Sequence, residues 1–299
     1  MQRTLGLQQN PFDPDWPGLG RLAGKPLSVD VDPKLLDLVC WDLGGLKSKE
    51  ADLCWALFDE PAGKDVAVKR DVILIVLGAQ GSGRSTLASL VCRRVLDSSK
   101  AGGGDWTQFK GSFPTYPATM DPAVVKQECD RIKQDVTRKF SEHGPGRALV
   151  LVDNLPKCQF DAILDLFHGL PGVSRVFIVT TDDESLKERD LDAAGPRIEL
   201  AERPKLTPED VRAFIAHRVP KYRCDGLASI ADDPDLSLFP FTATAPVSAV
   251  GGSGSRPVRG VNSWLVKQLE RRHRELVEQQ NNQDIAQIDL SELRARMIG

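Results

Sequence analysis

A glycine-rich run after an apolar stretch has the residue types and spacing of a phosphate-binding loop. The run reads DVILIVLGAQGSGRST, in which Gly78, Gly83, Arg84 and Ser85 occupy the landmarks of the pattern G-x-x-x-x-G-K-[ST], with arginine in place of lysine. A helix that begins directly after such a loop points its unsatisfied backbone N–H groups and the positive end of its dipole into the loop. The sequence therefore predicts a site for polyphosphate.

The residues of this loop have separate expected roles. Gly81 and Gly83 allow the backbone to approach phosphate oxygens, and Arg84 is placed to face the β- and γ-phosphates. The hydroxyl of Ser85 is placed to ligate Mg²⁺. The predicted cofactor-binding residues of the segment are Gly78, Gln80, Gly81, Ser82, Gly83, Arg84, Ser85 and Thr86.

Two further apolar stretches end in polar residues that we expect beside the loop. RALVLVDNL carries Asp153 and Asn154 about 70 residues after the loop, and RVFIVTT ends at Thr180 and Thr181. Parallel strands bring their carboxyl ends to one edge of a sheet, and open α/β sheets bind ligands there. We expect Asp153 to hold the same Mg²⁺ as Ser85, through the water shell of the ion.

The elements around these residues alternate between strand and helix. Apolar spacing predicts a helix over about 84–97 and a longer one that Asp121 caps, with Pro122 at its first position. Continuous rather than alternating apolar residues in the strands indicate a parallel sheet covered on both faces. We predict an α/β fold, namely a three-layer P-loop NTPase core with a parallel sheet and a small C-terminal helical lid. The predicted inward face of the longer helix is Val125, Cys129, Ile132, Val136 and Phe140.

The regions outside this core have their own signals. An apolar-periodic stretch at 33–43 predicts one or two helices, and GGSGS at 251–255 predicts a linker or mobile loop. Thr207 and Asp210 predict a capped helix start, and a long basic helix is predicted from about Val261. The predicted domains are an N-terminal extension (1–68), the P-loop core (69–203), a helical lid with a flexible insert (204–278) and a polar tail (279–299).

Composition limits the function classes. The 299 residues carry a net charge of −3, so no chain-wide basic field supports DNA binding, which stays open as a local property. The six cysteines form no C-x-x-C pair or zinc pattern, which favours a reduced compartment. Apolar stretches fall far below the ~20 residues that span a bilayer, and no signal peptide is evident. We expect a soluble, cytoplasmic protein without a membrane partner.

With these motifs the chain resembles the AAA+ and related P-loop ATPases of the additional-strand class, over about residues 70–275. GAQGSGRS corresponds to Walker A and ALVLVDN to Walker B. Thr180 or Thr181 stands where those proteins have sensor 1. PVRGVNSWL resembles the sensor 2 segment of the origin-recognition, ExeA-like and TniB-like branches, which implies that Arg259 lies near the γ-phosphate. NPFDP near the N-terminus is similar to the opening of ExeA-like ATPases.

The sequence departs from the family pattern at two positions that affect chemistry. Arg84 replaces the Walker A lysine, and its guanidinium is planar, larger and bidentate, so that it binds phosphate without necessarily occupying the position of the lysine ammonium. Asn154 replaces the acidic residue that normally polarises the attacking water, and an amide orients water but is no effective base. We therefore expect slow hydrolysis, unless Asp182, Asp183 or a partner supplies a carboxylate. The predicted catalytic residues are Asp153, Asn154 and Thr180.

The resemblance implies ATP and Mg²⁺ as cofactors and homo-oligomers whose interfaces ATP bridges. Arg189 and Arg197 are candidates for an arginine finger, a group that contributes roughly 10³ to 10⁵ in rate. The predicted function is a nucleotide-controlled assembly switch or regulator that has a protein partner. The alternatives are a degenerate scaffold that holds a partner without hydrolysis, and a small-molecule kinase. A basic cluster at 271–274 is either a solvated helix face or a contact for phosphate or an acidic partner.

Overall fold

The computed structural model describes residues 1–13, 15–16, 20–21, 57, 71–98, 106–113, 121–144, 146–171, 174–191, 196–202, 206–224, 227, 230, 236–251, 256–279 and 290–299. They belong to two compact units, one within residues 46–204 and the other formed by residues 1–25 and 205–299. The helices predicted at 33–43 and most of the predicted GGSGS linker lie outside the described residues. The predicted domain boundaries stay predictions.

The described residues contain a five-stranded sheet and eight helices, apart from 3-10 turns and a two-residue pairing of Asp15–Trp16 with Gly20–Arg21. The strands are β1 (Val72–Leu77), β2 (Trp106–Ser112), β3 (Arg147–Leu155), β4 (Ser174–Thr181) and β5 (Arg197–Glu202). The helices are α1 (Gln2–Leu5), α2 (Arg84–Ser98), α3 (Pro122–His143), α4 (Phe160–Gly169), α5 (Pro208–Arg218), α6 (Ala245–Val250), α7 (Val258–Glu278) and α8 (Leu290–Ala295).

The sheet is parallel throughout, in the order β2-β3-β4-β1-β5. All six residues of β1 are buried, as expected for a strand with helices over both faces. Strand β4 pairs with β1 and β3 pairs with β4, all parallel, so the carboxyl ends of the three strands lie at the edge of the sheet from which the loop after β1 leaves. This confirms the predicted α/β P-loop fold and its parallel sheet.

Helix α3 shows why the sequence pattern is reliable in this unit. Asp121 caps the helix, since its Oδ1 accepts a hydrogen bond of 2.9 Å from the N–H of Ala123, and Pro122 occupies the first turn. The five residues buried on α3 are the five predicted to face inward. They pack with α4 and with alternate residues of β1, among them Ile73 and Ile75. Capping and apolar spacing therefore determine this layer.

The second unit is helical and includes the start of the chain. Thr207 and Asp210 form the predicted capping box at the start of α5. Leu5 and Phe12 are buried in a cluster with side chains of α5 and α7. Helix α7 begins at Val258, three residues before the predicted start. The N-terminal residues 1–13 thus pack with the C-terminal helices.

Candidate functional site

The glycine-rich loop connects β1 to α2 and is fixed at both ends. The N–H of Gly78 donates a 3.1 Å hydrogen bond to the carbonyl of Thr181, at the end of β4. Within the loop the N–H of Ser82 donates to the carbonyl of Ala79 at 3.0 Å. Gly81 and Gly83 have φ angles of 79° and 89°, the left-handed region that favours glycine. These two glycines of the motif therefore lie where the backbone conformation favours glycine.

Helix α2 begins at the end of the loop and keeps its first-turn N–H groups near it. The N–H of Leu87 donates to the carbonyl of Gly83 at 2.9 Å and closes the first turn. Leu87, Val91 and Val95 are buried and hold the helix in the unit, while Ser85 and Thr86 are half-buried in the first turn. The positive end of the helix dipole accordingly lies beside the loop.

Arg84, the replacement for lysine, is folded across its own loop. Its side chain is 6% exposed, and its Nη1 donates to the carbonyl of Gly78. Its Nη2 donates to Oδ1 of Asn154 at 3.0 Å. Burial lowers the pKa of the guanidinium, and the negative charges of Asp182 and Asp153 oppose that shift. An arginine side chain is effectively always protonated in proteins, so the group carries its charge at neutral pH.

A β-bulge at the end of β3 aims the polar residues of that strand. Val152 pairs with Val179 and Leu155 pairs with Thr181, so three steps along β3 match two steps along β4. Asn154 lies in the bulge with φ at 59°, a region that asparagine adopts more readily than most residues. The bulge places the Asn154 amide on Arg84.

Thr180 fixes the bulge from the neighbouring strand. Its hydroxyl is buried, donates a 2.6 Å hydrogen bond to Oδ1 of Asp153 and accepts a 2.8 Å bond from the N–H of Asn154. One side chain therefore hydrogen-bonds both Asp153 and Asn154, two of the predicted catalytic residues. The structure brings together Arg84, Asp153, Asn154 and Thr180 at the carboxyl edge of the sheet.

The residues at this edge suit a magnesium nucleotide. Backbone N–H groups, the helix dipole and a charged guanidinium are donors for phosphate oxygens. The Asp153 carboxylate and the Ser85 hydroxyl are oxygen ligands of the kind that Mg²⁺ prefers. Within the part of the chain that the structure describes, no cluster of three or more His, Cys, Asp or Glu residues could hold a metal ion.

Asp182 and Asp183, the two carboxylates that could act in place of an acidic residue at position 154, differ in their contacts. Asp183 accepts hydrogen bonds from the N–H of Cys158 at 2.7 Å and from the hydroxyl of Ser185 at 2.6 Å. Burial raises the pKa of Asp183, but these bonds and the one from the Ser185 N–H outweigh burial and leave its pKa below the ordinary value. A carboxylate so occupied is a poor base. Asp182 contributes negative charge beside Arg84.

The predicted arginines lie elsewhere. Arg259 is exposed in the first turn of α7, in the unit of residues 205–299, and its contact with nucleotide stays a prediction. Arg189 hydrogen-bonds Asp161, and Arg197 pairs with Glu199 at 2.6 Å. Both arginine-finger candidates thus have surface partners in their own unit, and their role stays a prediction.

The basic cluster at 271–274 makes contacts inside the helical unit. Arg271 and Arg272 both pair with Glu275, at 2.8 and 3.1 Å. Arg272 also donates to the carbonyl of Arg296, and Nδ1 of His273 lies 2.7 Å from the hydroxyl of Thr4. These contacts give the cluster a structural use.

The contact between Arg84 and Asn154 was not predicted from the sequence. The available signal was that both departures from the motif occur in one chain, at the end of β3 and the start of α2. The bulge was not predicted either, although Asn154 belongs to a residue type that tolerates a positive φ.

No protein-family model and no curated protein matches this chain. It is similar to the solved ORC2 protein of Aeropyrum pernix in ADPNP-ADP complexes, with 12% identity, a TM-score of 0.47, and coverage of 98% of this chain and 71% of that one. It is also similar to Aeropyrum pernix ORC1 in complex with DNA, with 13% identity, a TM-score of 0.48 and coverage of 84% and 64%. A RuvB mutant of Thermotoga maritima has 14% identity, a TM-score of 0.41 and coverage of 84% and 69%.

All three similarities lie at 14% identity or less and at TM-scores of 0.48 or less. The chain spans about two thirds of the length of these proteins. None of the described helices combines the length and the apolar character that crossing a membrane requires.

Proposed function

We propose that the chain binds Mg-ATP at the loop of residues 78–86 and acts as a nucleotide-controlled assembly switch with slow hydrolysis. The observation that carries the proposal is the position of Arg84, a charged guanidinium that hydrogen-bonds its own loop and lies near the Asp153 carboxylate, which Thr180 holds in place. The sequence of the motif and the positive φ angles of Gly81 and Gly83 in the loop support the same ligand.

Slow turnover follows from the residues around the γ-phosphate position. Mg²⁺, when bound, would neutralise charge on the phosphate oxygens, with Ser85 as its ligand and Asp153 holding it through its water shell. Thr180 orients Asp153. The amide of Asn154 cannot accept the proton of an attacking water, and Asp183 is engaged in hydrogen bonds. The site is thus better suited to binding nucleotide than to fast hydrolysis.

The assembly part of the proposal comes from the resemblance to P-loop ATPases in which ATP bridges subunits. It implies a homo-oligomer whose interface takes an arginine from the neighbouring copy, with Arg189 and Arg197 as candidates and Arg259 as a sensor. A protein partner belongs to the proposal. DNA binding is tested below by measuring phosphate release with and without DNA. A cytoplasmic location stays a prediction.

A titration with a fluorescent ATP analogue in the presence of Mg²⁺ tests nucleotide binding. We expect saturable binding that Arg84→Ala and Asp153→Asn each weaken at least about tenfold, because each removes a charged contact. Arg94→Ala, on the exposed side of α2, and Asp130→Asn, on the exposed side of α3, are matched controls that leave affinity unchanged. Equal binding by the two site variants and the controls would contradict the site.

Light scattering after size exclusion, with and without Mg-ATP, tests the switch. We expect a larger assembly with Mg-ATP, and reversal on its removal. A mass that does not depend on nucleotide contradicts the switch and leaves the scaffold. The scaffold is favoured because the Asn154 amide is no effective base and the Asp183 carboxylate is engaged in hydrogen bonds. Phosphate release, measured with and without DNA, separates both from a motor-like regulator. Tight binding without turnover favours a switch or scaffold, whereas DNA-stimulated turnover favours the regulator.

A further inference from the structure

The two departures from the nucleotide-binding motif touch one another. Nη2 of Arg84 donates to Oδ1 of Asn154 at 3.0 Å, and Nη1 donates to the carbonyl of Gly78. A guanidinium has five N–H donors. These bonds use one donor at each terminal nitrogen, so the guanidinium keeps donors for the oxygens of a ligand. The side chain is held against its own loop and keeps three of its five N–H donors.

Both partners of Arg84 are neutral acceptors, and this matters for its charge. A carboxylate at position 154 would form a bidentate ion pair with the guanidinium, the strongest pairing an arginine makes. At a site where Arg84 is 6% exposed, such a pair is screened little by water and would compete directly with phosphate. An amide oxygen accepts the same hydrogen bond and leaves the positive charge available.

The backbone at position 154 is also adapted to this role. Asn154 has φ at 59°, and its N–H donates to the Thr180 hydroxyl at 2.8 Å, so the residue is held in the bulge. From this bulge its short side chain reaches Arg84. A lysine at position 84 would offer a compact ammonium with no planar fork to be held in this way.

We propose that Asn154 is a positioning residue for Arg84, so that the two form one functional unit that grips the β- and γ-phosphates of a nucleotide. Restoring the acidic residue at position 154 alone would then disable the site instead of activating it. The inference rests on the proposed binding of nucleotide at this loop. It gives Asn154 a role in binding in addition to any effect on the attacking water.

A double-mutant cycle tests the unit, with the unchanged protein, Arg84→Lys, Asn154→Glu and the double variant. Affinity for a fluorescent ATP analogue and phosphate release are measured for all four. We expect Asn154→Glu alone to weaken binding at least about tenfold, without a rise in turnover, because the carboxylate pairs with Arg84. In the Arg84→Lys background we expect the same change to cost less than about threefold in affinity and to raise turnover.

A second readout separates positioning from a merely structural effect. Asn154→Ala removes the acceptor without adding charge, and we expect it to weaken ATP and ADP about tenfold while leaving AMP binding unchanged, since Arg84 faces the outer phosphates. Asn154→Gln keeps the amide and should recover part of the affinity. A loss of the same factor for all three nucleotides would indicate a structural role and overturn the inference.

The outcomes distinguish this inference from the proposal beneath it. If the unchanged protein binds no nucleotide, the proposed function fails and the inference fails with it. If it binds normally and Asn154→Glu has the same effect in both backgrounds, only the inference is overturned. Should Asn154→Glu fail to fold, Asn154→Asp repeats the test, because aspartate also tolerates a positive φ.

Discussion

The hydroxyl of Thr180 lies 2.6 Å from Oδ1 of Asp153 and donates a hydrogen bond to it. The hydroxyl oxygen of Thr180 also accepts a 2.8 Å hydrogen bond from the N–H of Asn154, so one buried side chain on β4 fixes the bulge at the end of β3. A carboxylate held by a charge-assisted hydrogen bond keeps one orientation. The residue expected to sense nucleotide thus orients the residue expected to bind the metal.

Thr180→Val should therefore disturb the site more than the fold. The change removes a donor to a carboxylate and an acceptor for a backbone N–H, which costs ~2 kcal/mol of stability. We expect the Mg²⁺ concentration needed for half-maximal ATP binding to rise several-fold. The measurement is a Mg²⁺ titration at fixed analogue, with chemical denaturation of the free protein.

Thr181→Val is the matched control for that experiment. The Thr181 hydroxyl donates to the carbonyl of Leu155 at 2.8 Å, so its loss costs a similar stability away from the carboxylate. We expect its Mg²⁺ dependence to stay close to that of the unchanged protein. Equal shifts for both variants would show that Thr180 acts only through stability.

Gly83→Ala should weaken phosphate binding through the backbone. Gly83 has φ at 89°, and a Cβ in that region costs ~1–2 kcal/mol. Relief of that strain moves the loop N–H groups, so we expect nucleotide affinity to fall at least about tenfold. Isothermal titration and thermal unfolding measure the two effects separately.

Gly144→Ala provides the control for backbone strain. Gly144 ends α3 with φ at 85°, and a Cβ built there meets nothing within 4 Å. The substitution should cost the same stability as Gly83→Ala and leave nucleotide affinity unchanged. A comparable loss of affinity would mean that the glycine effect is not local to the loop.

Most of the layer that carries the site could be predicted from local pattern, and the site contacts could not. The inward face of α3 follows from apolar spacing and the Asp121 cap, both of which are properties of neighbouring residues. The bulge at Asn154 depends on the register of β3 against β4, and the Arg84 contact joins residues 70 positions apart. Spacing along the chain contains neither. The packing of Phe12 with C-terminal residues was missed for the same reason.

Phe12→Ala should destabilise the helical unit. Phe12 is 2% exposed, and its ring lies 5.5 Å from that of Phe214 and 5.8 Å from that of Phe241, centroid to centroid. Removing a buried aromatic ring costs ~3–5 kcal/mol. We expect calorimetry to show a lower midpoint temperature of unfolding. Val247→Ala, at a residue that is 56% exposed, should change this temperature little. Equal transitions would contradict the packing of the N-terminal residues.

Asp183→Ala should destabilise the turn that follows β4, and the effect should depend on pH. Asp183 accepts three hydrogen bonds, from the N–H of Cys158 and from the N–H and hydroxyl of Ser185, at 2.7, 3.2 and 2.6 Å. Losing a carboxylate with these bonds costs ~2 kcal/mol at neutral pH.

The sign of the pH effect follows from the pKa of Asp183, which is lower in the folded protein than its ordinary value. The stabilisation is therefore complete above the unfolded pKa of ~3.9 and is lost as pH falls through the folded pKa. We expect the difference in unfolding free energy between the two proteins to be constant from about pH 5 to 8 and to shrink below about pH 4. Denaturation at each pH measures it, with Asp190→Ala, at an exposed residue, as the control. A difference that grows as the pH falls would show that Asp183 is held in its protonated form, which would make it a candidate acid and reverse its assignment as a structural residue.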